Sequence, residues 1–165
     1  MTYGGRSNRN DMRRKDKQIT DDATLEVILR KADVCRVAMC DGDEPYLVPV
    51  NFGYRDRALF IHSAREGRKI EILSRNNRVS FEAETDVEIV RGDSACDWGA
   101  RYRSVIGAGR ARFLEDRKEK EEALDIIMRK YSGAGEYAYS PAKVDAITVI
   151  RVDIETMCGK KSGME

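Results

Sequence analysis

From Tyr102 to Phe113 the chain reads as one long strand, and Gly107-Ala108-Gly109 falls in the middle of it. Glycines inside a strand permit sharp curvature or close approach of another backbone, as at the corner of a barrel. The same three residues do not make a dinucleotide-binding turn, because the third glycine is missing and no helix opens there. A long strand free to bend points to a small curved antiparallel sheet and away from a Rossmann fold.

The rest of the chain supplies partners for that strand. Val34 to Cys40 is a strand, Asp41-Gly42 signals a hairpin, and the return strand runs from about Tyr46 to Tyr54. Pro49 inside it removes a ladder donor, so this strand belongs at an edge or bulges where a ligand approaches. Arg55-Asp56-Arg57 turns the chain into a strand over 58–62, and Val79, Phe81 and Ala83 alternate with polar residues in another. Residues 86–101, with Trp98, read as irregular, and Val144 to Ile154 is again strongly β.

Helices fall between these runs. Thr20 is the expected N-cap of a helix over 20–32, with Asp21 and Asp22 in its first turn and Leu25, Ile28, Leu29 and Ala32 on one face. Asp116 and Glu119 open another helix, whose stripe is Leu124, Ile127, Met128 and Tyr131 and whose stop is Gly133 and Gly135. Six or more antiparallel strands with helices packed outside make an α+β barrel. Residues 1–18 read as a flexible basic arm, and 19–165 as one domain.

Charge and cysteine content exclude several classes. Thirty basic residues against 29 acidic ones leave a net charge of +1, which argues against a nucleic-acid partner even with the basic arm. No apolar run approaches the length of a membrane span. Cys35, Cys40, Cys96 and Cys158 lack the close spacing of a zinc site, and the chain has a single histidine, so no metal is expected. Free thiols suit a reducing cytoplasm.

The stretch from Ala58 to Leu73 bears most directly on chemistry. A short apolar strand ends in His62-Ser63-Ala64, a turn follows, and after Gly67 a helix starts with Arg68 and Lys69. Cations in a first turn face the positive end of the helix dipole, at about 0.3–1 kcal/mol each. An anion held between them and the free helical N–H groups reverses the sign. On this stretch alone two readings stand: a phosphate-bearing ligand, or two side chains reaching into solvent.

Three segments, in this order and spacing, resemble the FMN-binding split β-barrel family related to pyridoxamine 5'-phosphate oxidase, nearest its nitroimidazole-resistance branch. They are Val48-Pro49-Val50-Asn51-Phe52; Ile61-His62-Ser63-Ala64 with Gly67-Arg68-Lys69; and Tyr102-Arg103-Ser104-Val105-Ile106-Gly107 with Gly109. The resemblance implies that Arg68 and Lys69 hold the FMN phosphate, aided by the Ser63-Ala64 and Gly67 turn, with His62 beside the ribityl chain. A single histidine at a strand end, read by itself, is more often a packing residue than a catalyst. Pro49, Val50 and Asn51 would run beside the isoalloxazine ring, with Ser104 and Val105 on an adjoining strand.

Relatives of this kind are homodimers with flavin at the subunit interface, which would bring Trp98, Tyr102 or Lys160 from the partner. The implied function is an FMN-dependent oxidoreductase. It would pass electrons from a reduced nicotinamide or another donor to a small planar or nitro-aromatic acceptor. The alternative is a flavin- or haem-binding storage protein without turnover. No side chain stands out as catalytic acid, base or nucleophile. Two departures from the pattern matter: the C-terminal segment has no tryptophan, which argues against vitamin B6 oxidation, and Gly67 replaces a small hydroxyl residue.

Overall fold

The computed structural model describes residues 12–163. Residues 1–11 of the expected arm lie outside them; its remainder forms a 3-10 turn at Lys15–Lys17 and leads into β1, Gln18–Ile19, which pairs with the end of the last strand. The further elements are α1 Asp22–Lys31, β2 Cys35–Asp41, β3 Glu44–Val50, β4 Gly53–Arg55, β5 Ala58–Ala64, α2 Arg68–Arg75, β6 Arg78–Val90, β7 Gly99–Leu114, α3 Arg117–Ser132, α4 Pro141–Asp145 and β8 Ile147–Ser162. All eight strands join one antiparallel sheet in the order β3-β2-β6-β7-β8-β5-β4, with β1 on β8.

That order contains the geometry of the barrel. β3 and β4 lie at opposite edges of the sheet, yet only Asn51 and Phe52 separate them in the chain. At about 3.8 Å per residue, two residues cannot bridge a flat sheet seven strands wide at nearly 5 Å each. The sheet therefore curls until its edges almost meet, without a ladder between them: a split barrel. Curvature is concentrated where the sequence placed its glycines. The β7–β8 register slips between Ala108 and Gly109. A Cβ on Gly107 would sit 2.3 Å from the Phe81 ring, and one on Gly109 would sit 2.2 Å from the Asp153 carbonyl oxygen.

The barrel interior holds Val37, Met39, Phe52, Leu59, Ile61, Phe81, Val105 and Ile150, closed on one side by Leu25, Ile28 and Leu29 of α1 and on another by Ile72 and Leu73 of α2. A second cluster, Phe60, Leu114, Ala123, Ile126, Ile127 and Val149, fixes α3 on the outside.

Several expectations shift. The helix expected from Thr20 starts later, because Asp21 is the cap and accepts from the Thr24 amide at 2.8 Å. The return strand divides into β3 and β4 at the seam. The segment 86–101 is irregular only over residues 91–98: a bulge between Thr85 and Glu88, with Asp86 at φ 58°, hides the continuing alternation to Val90, and β6 and β7 form a long arm. The α3 stripe turns by one position, since Ala123, Ile126 and Ile127 are buried while Met128 and Tyr131 remain exposed. Tyr131 instead uses its hydroxyl, donating to the Asp33 carbonyl at 2.7 Å and accepting from the Phe52 amide at 3.0 Å. β8 continues past the expected end at Ile154, through Cys158-Gly159-Lys160-Lys161 to Ser162. Asp116 caps α3 as expected, accepting from the Glu119 amide at 3.0 Å.

Candidate functional site

α2 is an eight-residue helix with an uncapped start. Its N-cap, Gly67, sits at φ 124° and contributes no side chain. The Gly67 carbonyl receives the amides of Ile70 and Glu71 at 2.9 and 3.1 Å, which leaves the amides of Arg68 and Lys69 without helical acceptors. Ile72 and Leu73 point into the barrel, so burial fixes the direction of the helix; Asn76 and Arg75 tie its far end to Cys40 and Asp41 of β2.

The two cations diverge in role. Arg68 reaches across to β3, where its guanidinium meets the Glu44 carboxylate at 2.9 Å and lies 4.8 Å from the centroid of the Tyr46 ring. The electrostatic conflict expected at this helix start is thus relieved for Arg68 by a protein carboxylate. Lys69 is half-buried, burial alone pushes its ammonium down from its usual value, and no carboxylate among the described residues pairs with it. An uncompensated, partly desolvated ammonium beside free amides fits a phosphate group. Ser63, half-buried at the end of β5, and the exposed His62 and Ala64 precede this turn.

β3 supplies an adjoining surface. It pairs with β2 throughout, Pro49 opposite Arg36 and Pro45 opposite Cys40, and its other side is a free edge. Proline has no N–H to give, so both prolines turn their nitrogens toward that free edge. The edge consequently offers carbonyl acceptors with few donors, which discourages addition of another strand and suits a ligand that brings its own N–H. Pro49 and Asn51 are exposed and Val50 is half-buried. About 16 Å of extended chain separates Tyr46, beneath Arg68, from Asn51. The surface from α2 to the end of β3 is therefore continuous and elongated.

The remaining predicted residues are elsewhere. Lys160 donates to the Tyr102 hydroxyl at 3.0 Å and stands opposite Ser104 in the β7–β8 ladder. Ser104 is buried, and Val105 is fully buried in the barrel, so only its main chain could face a ligand. Trp98 is 53% exposed at the tip of the β6–β7 arm. His62 pairs with Val149 at the opposite end of β8 from Lys160, ~36 Å of strand away. Within one protomer β5, α2 and the start of β3 thus form one group, and Trp98, Tyr102, Ser104 and Lys160 another, while Val50 at the end of β3 stands level with Val105 through Cys35 and Ala83.

Glu44 and Tyr46 belong to the first group and were not anticipated; they meet Arg68 only because the barrel closes. A broad hollow of about 540 Å³ on the other flank of α2, lined by Arg65, Glu66, Gly67, Ile70, Glu71, Ser74 and Arg75, contains neither Arg68 nor Lys69. Glu66 and Glu71 balance Arg65 and Arg75 in its lining, so it has no net charge to favour an anion. No helix among the described residues is long and apolar enough to cross a membrane.

Comparison with known proteins places this geometry. The family described as pyridoxamine 5'-phosphate oxidase matches residues 21–161. A candidate 5-nitroimidazole antibiotic resistance protein from Bacteroides thetaiotaomicron is 39% identical over 87% of this chain and 86% of its own, with a TM-score of 0.78. The flavocytochrome Anf3 from Azotobacter vinelandii is 20% identical, with a TM-score of 0.82 over 96% of this chain and 75% of its own. An FAD- and haem-binding protein from Mycobacterium smegmatis is also 20% identical, with a TM-score of 0.80 over 90% of this chain and 74% of its own. At 20% identity the likeness is one of fold. No curated protein matches the chain.

Proposed function

Since this chain belongs to the pyridoxamine 5'-phosphate oxidase family, we propose that it binds a flavin, FMN, and acts as an oxidoreductase on a small planar or nitro-aromatic acceptor, with a reduced nicotinamide or another donor. The observation that carries this reading is Lys69, a half-buried ammonium with no carboxylate partner among the described residues, at the uncapped start of α2. Its side chain and the free amides of Arg68 and Lys69 hold the terminal phosphate. Arg68 joins them by releasing Glu44, an exposed pair worth about 0.2–1 kcal/mol and weaker than charge-assisted bonds to a dianion. The carbonyls on the free edge of β3 around Pro49 receive the N–H of the flavin ring and fix its plane. Once bound, the flavin supplies the electron-transfer chemistry, and the protein orients it.

The second group of residues enters through a second copy of the chain. Lys160, with Tyr102 beside it on β7 and Trp98 just before β7, stands at the far end of the β7–β8 ladder from the α2 turn of its own protomer, so a homodimer brings them over the ring and limits what can stack there. Trp98 is the residue on which acceptor selectivity turns, being the large aromatic left exposed on the arm.

The experiment is an absorption spectrum of the purified protein, with mass spectrometry of whatever is released on denaturation. The expected result is a yellow protein that releases FMN and bleaches with reduced nicotinamide. A colourless protein with no affinity for added FMN overturns the reading, and FAD or a Soret band identifies a different cofactor. Persistent yellow with no donor that bleaches it leaves a storage protein. A monomer in solution with undiminished FMN affinity removes the interface from the account.

A further inference from the structure

Three contacts from α3 converge on Phe52 and Gly53, where β3 gives way to β4. The Tyr131 hydroxyl accepts from the Phe52 amide at 3.0 Å while donating to the Asp33 carbonyl at 2.7 Å. The Lys130 ammonium lies 3.7 Å from the centroid of the Phe52 ring and donates to the Leu29 carbonyl at 2.6 Å. A Cβ on Gly53 would sit 2.8 Å from the Ile126 side chain and 2.9 Å from the Ile127 nitrogen, so the absence of a side chain there lets α3 come this close. Phe52 itself is fully buried, whereas Tyr131 is 41% exposed and reaches the barrel through its hydroxyl. Two consecutive residues of one outer helix thus hold the seam residue by its main chain and by its ring.

The consequence falls on Asn51. The β2–β3 ladder ends at the pairing of Cys35 with Val50, so Asn51 stands one residue past it and has no strand partner to orient it. Pro49 turns its nitrogen to the free edge, and main-chain groups alternate sides along an extended strand. Asn51, two residues on, therefore faces the free edge as Pro49 does, and the Phe52 amide faces the other way, to Tyr131. The peptide between Asn51 and Phe52 is trans, which sets the Asn51 carbonyl opposite the Phe52 N–H. Holding that N–H aims the Asn51 carbonyl outward, beside the carbonyl of Pro49.

We infer that Tyr131 is a positioning residue for the ring end of the flavin site: by receiving the Phe52 amide it fixes the Asn51 carbonyl where the N–H of the flavin ring arrives, and Lys130 steadies the same point through the Phe52 ring. The inference rests on the flavin reading above and divides the site. α3 governs the ring end, and Lys69 of α2 governs the phosphate end. An edge already held in place has little left to order when a ligand binds, whereas a loosened one must be ordered at that moment, which weakens binding.

Tyr131→Phe in the full-length protein tests it, by amide hydrogen exchange without ligand and by titration with FMN and with riboflavin. The amides of residues 50–53 are expected to exchange faster than in wild type. Both ligands should bind more weakly by the same factor, roughly two- to tenfold, as loss of one neutral hydrogen bond implies. The visible absorption bands of the bound flavin should shift, because the hydrogen bonding of its ring changes. Lys130→Met is expected to act in the same direction, and Lys130→Arg, which keeps a cation and a donor over the ring, to restore wild-type behaviour. This second pair carries the same measurements if Tyr131→Phe fails to fold. The inference is overturned if exchange at 50–53 is unchanged, or if Tm falls while both affinities and the spectrum stay as in wild type. It is also overturned if FMN binding weakens and riboflavin binding does not, since α3 would then act on the phosphate end. Wild-type protein that binds neither ligand overturns the proposed function instead, and exchange at 50–53 then decides by itself whether α3 holds the edge.

Discussion

The Arg68 guanidinium lies 2.9 Å from the Glu44 carboxylate, so an ion pair joins the first turn of α2 to the first residue of β3 across the open side of the barrel. The pair competes with any phosphate at the α2 turn. Glu44→Gln removes the competitor while keeping the side chain's size. FMN affinity is expected to rise by about two- to fivefold, the equivalent of an exposed ion pair. The gain should shrink as salt is added. Titration of FMN by fluorescence quenching in low and high salt checks both.

Lys69→Ala acts in the opposite direction and more strongly. It removes an ammonium that burial has already made costly, leaving the two amides at the helix start as phosphate donors. FMN binding is expected to weaken by about 10- to 100-fold, matching one charge-assisted hydrogen bond. Riboflavin, which has no phosphate, should lose almost nothing. Equal losses for the two ligands would place Lys69 somewhere other than at the phosphate.

These two side chains mark how far sequence reasoning reaches. A helix starting with Arg68-Lys69 is legible from local electrostatics, and so is the edge position of Pro49, because a missing N–H is a local property. Capping by Asp116 and the bend at Gly107 and Gly109 are local in the same sense. What Arg68 touches is not, because Glu44 reaches it only after seven strands have curled into a barrel. The α3 face was misphased because Tyr131 counts as apolar in a periodic pattern, whereas its hydroxyl is committed to the main chain of Asp33 and Phe52. The β6–β7 arm was hidden by one residue, Asp86, whose left-handed backbone breaks the alternation that continues through Val87 and Ile89.

Gly109→Ala tests the bend itself. The new Cβ would sit 2.2 Å from the Asp153 carbonyl oxygen, a main-chain atom that a rotamer change cannot move. The β7–β8 ladder must shift, at a cost of about 1–3 kcal/mol typical of overpacking. For a chain of this size that lowers Tm by roughly 2–10 °C. Gly42→Ala, at the β2–β3 turn, is the control. Its Cβ meets nothing within 4 Å, so only the strain of a positive φ (62°) remains. Thermal denaturation of both variants should rank Gly109→Ala as the more damaging.

Lys130 gives stability a pH dependence whose sign can be worked out. Burial pushes its ammonium from the ordinary 10.5 to about 8, against smaller opposing effects of Asp33 and Cys35. Below pH 8 both folded and unfolded chains carry the proton, and the folded state bears the full desolvation cost. Between pH 8 and 10.5 the unfolded chain binds more protons than the folded one, so this cost diminishes and the residue's contribution to stability rises with pH. Lys130→Met removes the titration, together with the bond to Leu29 and the contact with Phe52. The offset between variant and wild type depends on all three, but the slope depends on the titration alone. Wild-type Tm measured relative to the variant is therefore expected to climb from pH 7.5 to pH 10, by on the order of 2–4 °C for each 1 kcal/mol recovered. A flat difference across that range would mean that the Lys130 ammonium stays hydrated in the folded chain.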